Sequence, residues 1–367
     1  MVAMMATTML VGPLAQAAPQ LGGSLRLNYN WKAFDPASRD VGGDLAFDML
    51  ELKLDDRFAD DRFGFSANYR LMQGHDYLRY GYLFYNPSDD WQWQLGVVDK
   101  PFGSLNLASN SWWFSINYYV GFESDPDTGV VSRYQRDNHR LELGFFKNAE
   151  YGDGRGLAAD ISHGEIGQQT YHNKETNQLN ARYSHFLEQG DWYAILGGSL
   201  ELGQIENIRY RETGDRVAVA AHLDLSWRDW NLLLQALHYD YRQYDEGQGF
   251  DTSRIGMGML NSRFEIASRA QIYTLNLARG FDTPLGRLKL YNDFGYLTPD
   301  TGNQSQDISR LNVTGASLSY QKFFLYLDHI AGDNLLWTNG DGDQHLGLAQ
   351  SGDGWGRQVN LNVGYYF

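Results

Sequence analysis

Trp355-Gly356-Arg357-Gln358-Val359-Asn360-Leu361-Asn362-Val363-Gly364-Tyr365-Tyr366-Phe367 closes the chain, and its alternation decides the fold. Val359, Leu361, Val363, Tyr365 and Phe367 fall on one face, and Gln358, Asn360, Asn362 and Gly364 on the other. That is the period of a strand with one apolar and one polar side. A long terminal strand needs a partner along its exposed backbone. Residues 25–31 offer one, with Leu25, Leu27, Tyr29 and Trp31 set against Arg26, Asn28 and Asn30. Pairing the two closes the sheet on itself, and a closed sheet satisfies its backbone hydrogen bonds internally, as lipid requires. The expected fold is therefore all-β, a transmembrane antiparallel β-barrel with an apolar outside and a polar bore.

Composition narrows the alternatives. Mean hydropathy is -0.48, and beyond the amino-terminus no apolar run approaches the roughly eighteen residues of a membrane helix. The 24 Tyr, 19 Phe, 10 Trp and 40 Gly instead suit a barrel, which uses aromatics in interfacial girdles and Gly in turns. With 0 Cys there is no disulfide or thiolate chemistry. A net charge of -15 argues against nucleic acid as a partner. Residues 1–17 are uncharged and apolar and end Ala15-Gln16-Ala17, a small-x-small cleavage pattern. A signal peptide over 1–17 and a single barrel domain over 18–367 are expected, exported to the outer membrane of a Gram-negative bacterium.

Along the chain, alternating segments recur. A strand over 44–54 changes phase near Met49 and Leu50, where a bulge is expected, and 55–61 reads as a charged turn. Strands over 63–71, 77–85 and 91–97 follow. Short strands over 130–136 and 139–146 precede an irregular segment, 147–175. Hairpins over 176–203, 215–242, 269–297 and 309–329 complete the pattern, separated by polar loops over 204–214, 243–268, 298–308 and 331–354. The count is about sixteen strands, with short turns alternating with longer loops, as in bacterial barrels. The two long irregular segments, 100–129 and 147–175, each have room for another strand pair, which would make about eighteen. Either number leaves an aqueous channel.

Residues 100–129 break the rhythm. Lys100 opens the segment, Trp112, Trp113, Phe114, Tyr118 and Tyr119 sit at its centre, and Glu123, Asp125 and Asp127 near its end. Exposed aromatics cost about 25 cal/mol per Å2 of apolar area. The segment is therefore expected to fold into the barrel and form a constriction lined by rings and carboxylates. Strand parity points Arg26, Lys32, Arg70, Arg79, Arg140, Arg182, Arg287 and Lys289 into the lumen, with Glu142, Asp224 and Asp293 of opposite sign. A basic wall facing an acidic loop would favour polar or zwitterionic solutes. Sugars fit too, because rings stack on pyranose faces and carboxylates accept hydroxyl hydrogen bonds.

The strand end Gln94-Leu95-Gly96-Val97-Val98-Asp99-Lys100-Pro101-Phe102-Gly103, the aromatic loop after it and the terminal Gly364-Tyr365-Tyr366-Phe367 resemble those of Gram-negative outer-membrane porins, and more loosely the phosphate-selective porin superfamily. The resemblance implies a passive diffusion channel for small hydrophilic solutes, an inward-folded third loop and a homotrimer in outer-membrane lipid. It also makes Phe367 part of the signal read by the barrel-assembly machinery. Phosphate selectivity is not carried over, since the loop is acidic and aromatic. The alternative is a plugged barrel acting as a surface receptor or scaffold. No enzyme is expected: His163-Gly164-Glu165 and the scattered Ser, His and Asp residues form no recognisable triad. No cofactor or metal is expected either, because Asn339-Gly340-Asp341-Gly342-Asp343 lacks the ligand spacing of an EF-hand and His345 stands alone.

Overall fold

The computed structural model describes residues 18–104, 107–152, 154–167, 169–244, 252–300, 306–338, 345–349 and 354–367. The expected signal peptide lies outside them. Sixteen antiparallel strands form a closed barrel: β1 (Gln20–Lys32), β2 (Asp44–Phe58), β3 (Phe63–Met72), β4 (His75–Ser88), β5 (Trp91–Asp99), β6 (Pro126–Arg136), β7 (His139–Ala149), β8 (Asn173–Gln189), β9 (Trp192–Asn207), β10 (Glu212–Trp227), β11 (Trp230–Arg242), β12 (Arg269–Thr283), β13 (Gly286–Pro299), β14 (Ser309–Tyr320), β15 (Phe323–Asp333) and β16 (Gly356–Tyr366). The seam is the one the terminal alternation implies: β1 pairs with β16 from Ser24 opposite Tyr366 to Lys32 opposite Gln358. Leu25, Leu27 and Tyr365 face outward, while Ser24, Asn360 and Asn362 are buried on the inner side. At the short-turn end, Trp91, Trp93, Trp192, Trp230, Tyr320 and Phe323 are exposed on the outer face. Trp192 and Trp227 stack there with centroids 5.3 Å apart.

Several boundaries differ from the sequence reading, and each has a local cause. The expected bulge is present, with Asp48 as its extra residue. Arg26 opposes Met49 while Leu27 opposes Phe47, which lets Phe47 and Leu50, three residues apart, share the outer face. The charged stretch 55–61 is mostly strand; the chain turns only at 59–62, where Ala59, Asp60 and Asp61 take φ of 54, 56 and 63°. Residues 204–214 are likewise mostly strand, since β9 runs to Asn207 and β10 begins at Glu212 as a polar ribbon, and the chain turns only at 208–211. Polarity marks a turn poorly once strands project beyond an apolar band.

Of the two segments with room for a strand pair, 147–175 holds a short one, Gly164–Ile166 with Gln169–Tyr171, and 100–129 holds none among its described residues; a further hairpin forms in 243–268, read as a polar loop, and neither pair joins the wall. Arg254–Met259 and Ser262–Ala267 form a hairpin flanked by Asp160–Ile161 and His345–Leu346, a separate four-stranded sheet. Its Met257, Phe264 and Ile266 pack with Ile116, Val120 and Phe122 of the segment after β5, and with inward-facing Tyr239, Ile272, Val313 and Ile330 of the wall. The interior beside β11–β15 is thus dry, where a polar bore was expected throughout.

Candidate pore constriction

The connection between β5 and β6, described over 100–104 and 107–125, lies inside the barrel along its inner wall. Each step is held by a polar side chain from a later strand. Arg182 of β8 donates from Nε to the Gly103 carbonyl at 2.7 Å, and the Gly103 amide donates to Ser199 Oγ of β9 at 3.0 Å. The Ser104 amide donates to Gln235 Oε1 of β11 at 2.8 Å, and Asn276 of β12 holds the Ala108 carbonyl. Asp293 of β13 accepts from the Asn110 and Ser111 amides at 2.7 and 2.8 Å, and Asp328 of β15 accepts from the Trp112 amide at 3.1 Å. The described anchor points from Gly103 to Trp112 thus run along the wall from β8 to β15. Gly103 is required at the entry: its φ is +61°, and a Cβ would meet Gln235 Oε1 at 2.8 Å.

The loop then doubles back on itself. Phe114 stacks on Tyr118 at 4.2 Å, and Tyr119 donates to the Trp113 carbonyl at 2.7 Å. Glu123 ties the two limbs together by accepting from the amides and hydroxyls of Ser109 and Ser115. Burial pushes the Glu123 carboxyl above its ordinary range, with those serine bonds pulling the other way. A latch closes the base, where Lys100 pairs with Asp125 and, at 3.3 Å, with Asp127. Burial disfavours the Lys100 ammonium, yet the two carboxylates hold its pKa well above the usual range.

The predicted acidic lining is therefore absent. Glu123, Asp125 and Asp127 are 2, 4 and 1 % exposed and fasten the loop from beneath instead of facing the opening. Unpaired carboxylates can sit in water, but these three have partners within the loop, which sequence spacing alone did not show. Trp112, Trp113 and Phe114 are half-buried and border a cavity of about 890 Å3, with Tyr118 and Tyr119 largely hidden behind them.

Across that cavity stand Arg26, Arg70 and Arg79, as parity suggested, together with Arg133. Each has a carboxylate: Arg26 with Asp48 at 3.1 Å, Arg70 with Glu51 at 3.0 Å, Arg79 with Asp99 at 2.8 Å and Arg133 with Glu142 at 3.0 Å. The wall is thus a row of ion pairs and not a bare basic ladder. Glu142 also pairs with Arg182 at 2.7 Å, deep under the loop entry. Arg182 and Asp293, expected as lumen charges, are anchors of the loop. Arg140 and Glu142 border a second cavity of about 790 Å3 toward the turn end, which shares Arg133 with the first. Arg287, paired with Asp229 and Asp282, Asp224, bonded by Asn231 at 2.6 Å, and exposed Lys289 lie toward the turn end of their strands. Lys32 is half-buried at the opposite end of β1.

Sequence reasoning missed Glu51, Asp99, Arg133, Gln235, Asn276 and Asp328. Glu51 was legible, lying between outward Leu50 and Leu52. Arg133 was hidden because Val131, its neighbour on the inner face, is apolar and packs on Val98 and Phe146. Asp293→Ala would strand two loop amides and is expected to cost about 1–3 kcal/mol. Denaturant midpoints in detergent would measure this, and an unchanged midpoint would detach Asp293 from the loop.

No family model and no curated protein matches the sequence. The fold does have counterparts among solved structures. The chain is similar to the outer membrane channel DcaP of Acinetobacter baumannii, with a TM-score of 0.63 and 15% identity over 96% of this chain and 98% of that one. It is similar to the anion-selective porin from Comamonas acidovorans, with a TM-score of 0.60 and 10% identity over 95% of this chain and 99% of that one. For Salmonella typhi OmpF the TM-score is 0.56 at 11% identity, over 95% of this chain and 97% of that one. At these identities the likeness is one of fold, the barrel of outer-membrane porins.

Proposed function

We propose that this chain is a porin, a passive diffusion channel of the Gram-negative outer membrane for small hydrophilic solutes, exported behind a signal peptide over residues 1–17. One observation carries the reading: a loop pinned across the inside of a closed barrel leaves an off-axis cavity between half-buried rings and a row of ion pairs. Rings on one side and paired charges on the other suit polar, weakly charged solutes, with sugars or oligosaccharides favoured by stacking. Phe367 suits an assembly signal, being 47% exposed beyond a backbone pair with Gly23. Steady conductance steps in a planar bilayer, and liposome swelling faster with sugars than with dianions of equal size, are the expected results.

Because the lining charges are paired, the reversal potential in a KCl gradient should be small. Arg70→Gln removes the nearer cation from Glu51, leaving Lys53 at 3.6 Å, and should shift it toward cations. Amide variants of Glu123, Asp125 and Asp127 should leave it unchanged, since those groups do not face the opening. The plugged-barrel alternative has one observation in its favour, the four-stranded sheet and apolar cluster inside the wall. Electrical silence from folded protein would select it.

A further inference from the structure

Beneath the loop latch, acids outnumber the cations that serve them. Lys100 is shared by Asp125 and Asp127, and Arg216 by Glu175 and Glu201, both at 2.6 Å. Asp160 has no such partner. It is 1 % exposed, and among the described residues neither of its carboxylate oxygens has a hydrogen-bond partner. Glu150 Oε2 and the Oδ1 atoms of Asp125 and Asp127 are also buried without one.

Separate segments bring these groups together. Asp125 ends the inward loop, and Asp127 follows at the start of β6. Asp127 opposes Ala149 of β7, so Glu150, the next residue, stands beside it. Asp160 belongs to the inner sheet, where Gly258 is its partner, and the Ile161 amide donates to Glu175 Oε2 at 3.2 Å, which fixes this strand against β8. One oxygen each from Asp125, Asp127 and Asp160 lies within 4.8 Å of the others. Gly121 leaves the space beside them open: a Cβ there would meet the Ala159 carbonyl oxygen at 2.5 Å and Asp125 Oδ2 at 3.3 Å.

Carboxylates in such a place must take up protons or a metal ion, because an unneutralised buried charge is too costly to keep. Protons would neutralise the acids one by one and give no reason for three of them to converge on one centre. A metal ion does give one. The donors are all oxygens, which suits calcium or magnesium and not zinc or copper, which favour nitrogen and sulfur. An ion bonded at about 2.4 Å, as calcium is, spans oxygens up to about 4.8 Å apart, whereas magnesium at about 2.1 Å demands a tighter octahedron. Three carboxylates, each binding through one oxygen or two, supply much of the roughly six to eight oxygens that calcium takes.

We propose that Asp125, Asp127 and Asp160 form a calcium site that joins the base of the inward loop, the barrel wall and the inner sheet. Lys100 keeps its place on Asp125 and Asp127, and the ion takes the oxygens that Lys100 leaves. Glu150 adds negative charge from beside the triangle. The ion fastens three segments at one point and is not a solute in transit, so the site does not depend on what the barrel conducts.

Full-length protein extracted in detergent, stripped with EGTA and dialysed against low-micromolar calcium should retain one calcium ion per chain more than Asp160→Asn treated alike. Lipopolysaccharide and surface acids bind equally in both, so the difference isolates the site. Asp89→Asn, exposed at a turn, should match wild type. Calcium should also raise the wild-type thermal midpoint by about 5 °C or more, a rise that disappears in Asp160→Asn. Magnesium at equal concentration should raise it by less than half as much. Equal calcium content in wild type and folded Asp160→Asn would overturn the site. Wild-type protein that holds no calcium, or whose midpoint ignores it, would overturn it whether or not the variant folds, and equal gains with magnesium would overturn the assignment to calcium. Conductance enters none of these readouts, so a failed channel and a failed calcium site are distinguishable.

Discussion

Replacing residues 107–119 with a short Gly-Ser linker is expected to raise single-channel conductance at least about twofold, because a sixteen-stranded wall without an inner obstruction holds an open aqueous bore. The deleted stretch carries Trp112, Trp113 and Phe114 at the edge of the cavity, with Tyr118 and Tyr119 supporting them. It also carries the amides held by Asp293 and Asp328, so the wall would lose its tether and its cover together. Lys100, Asp125 and Asp127 stay in place at the base. A folded variant whose conductance equals that of wild type would mean the narrowest point lies elsewhere, beneath the four-stranded sheet being the next place to look.

Lys100→Met should have the largest effect on stability. Lys100 and its partners Asp125 and Asp127 have side chains only 3, 3 and 1 % exposed, so the substitution leaves two neighbouring carboxylates with no cation between them. Breaking a buried pair by removing one partner costs about 3–5 kcal/mol. The loss should depend on pH in a definite sense. Burial already pushes Asp125 up to about 7, with Lys100 pulling against it. Without Lys100 the folded carboxyls bind protons still more tightly than the unfolded ones. Stability is then retained near pH 4 and lost as pH rises through about 7 and beyond. Urea midpoints of the variant at pH 5 and 8 would test this. Equal deficits at the two values would remove the carboxylates from the explanation, and rescue by Asp125→Asn with Asp127→Asn would support it.

Closure was legible because both edges that meet at the seam show their pattern in local alternation. Residues 25–31 and 359–367 show the same period, and the two pair directly at the seam. The bulge at Asp48 was legible for the same reason: outward Phe47 and Leu50 are three apart, which a regular strand forbids. The contents of the bore were not. Parity says that Val313 and Ile330 face inward or outward, but not whether the inside is wet, and at that level it is filled by Ile116 and Phe264 from distant loops. The acids of the loop failed differently. Asp125 was read as a charge for solvent because its partner, Lys100, stands twenty-five residues away, at the other limb of a turn whose shape depends on wall side chains not yet placed. Arg182 and Asp293 were put on the right surface with the wrong occupation, since a lumen-facing charge can meet a passing solute or hold a segment of its own chain.

The tether along the inner wall also constrains assembly. The segment between β5 and β6 is held by side chains from β8, β9, β11, β12, β13 and β15, every one of them later in the chain. It cannot be settled while those strands are still missing, and contacts of such long sequence separation are slow to form. Any factor that escorts the unfinished polypeptide must therefore hold an aromatic-rich stretch unclaimed through most of the folding process, and admit it before the cylinder shuts.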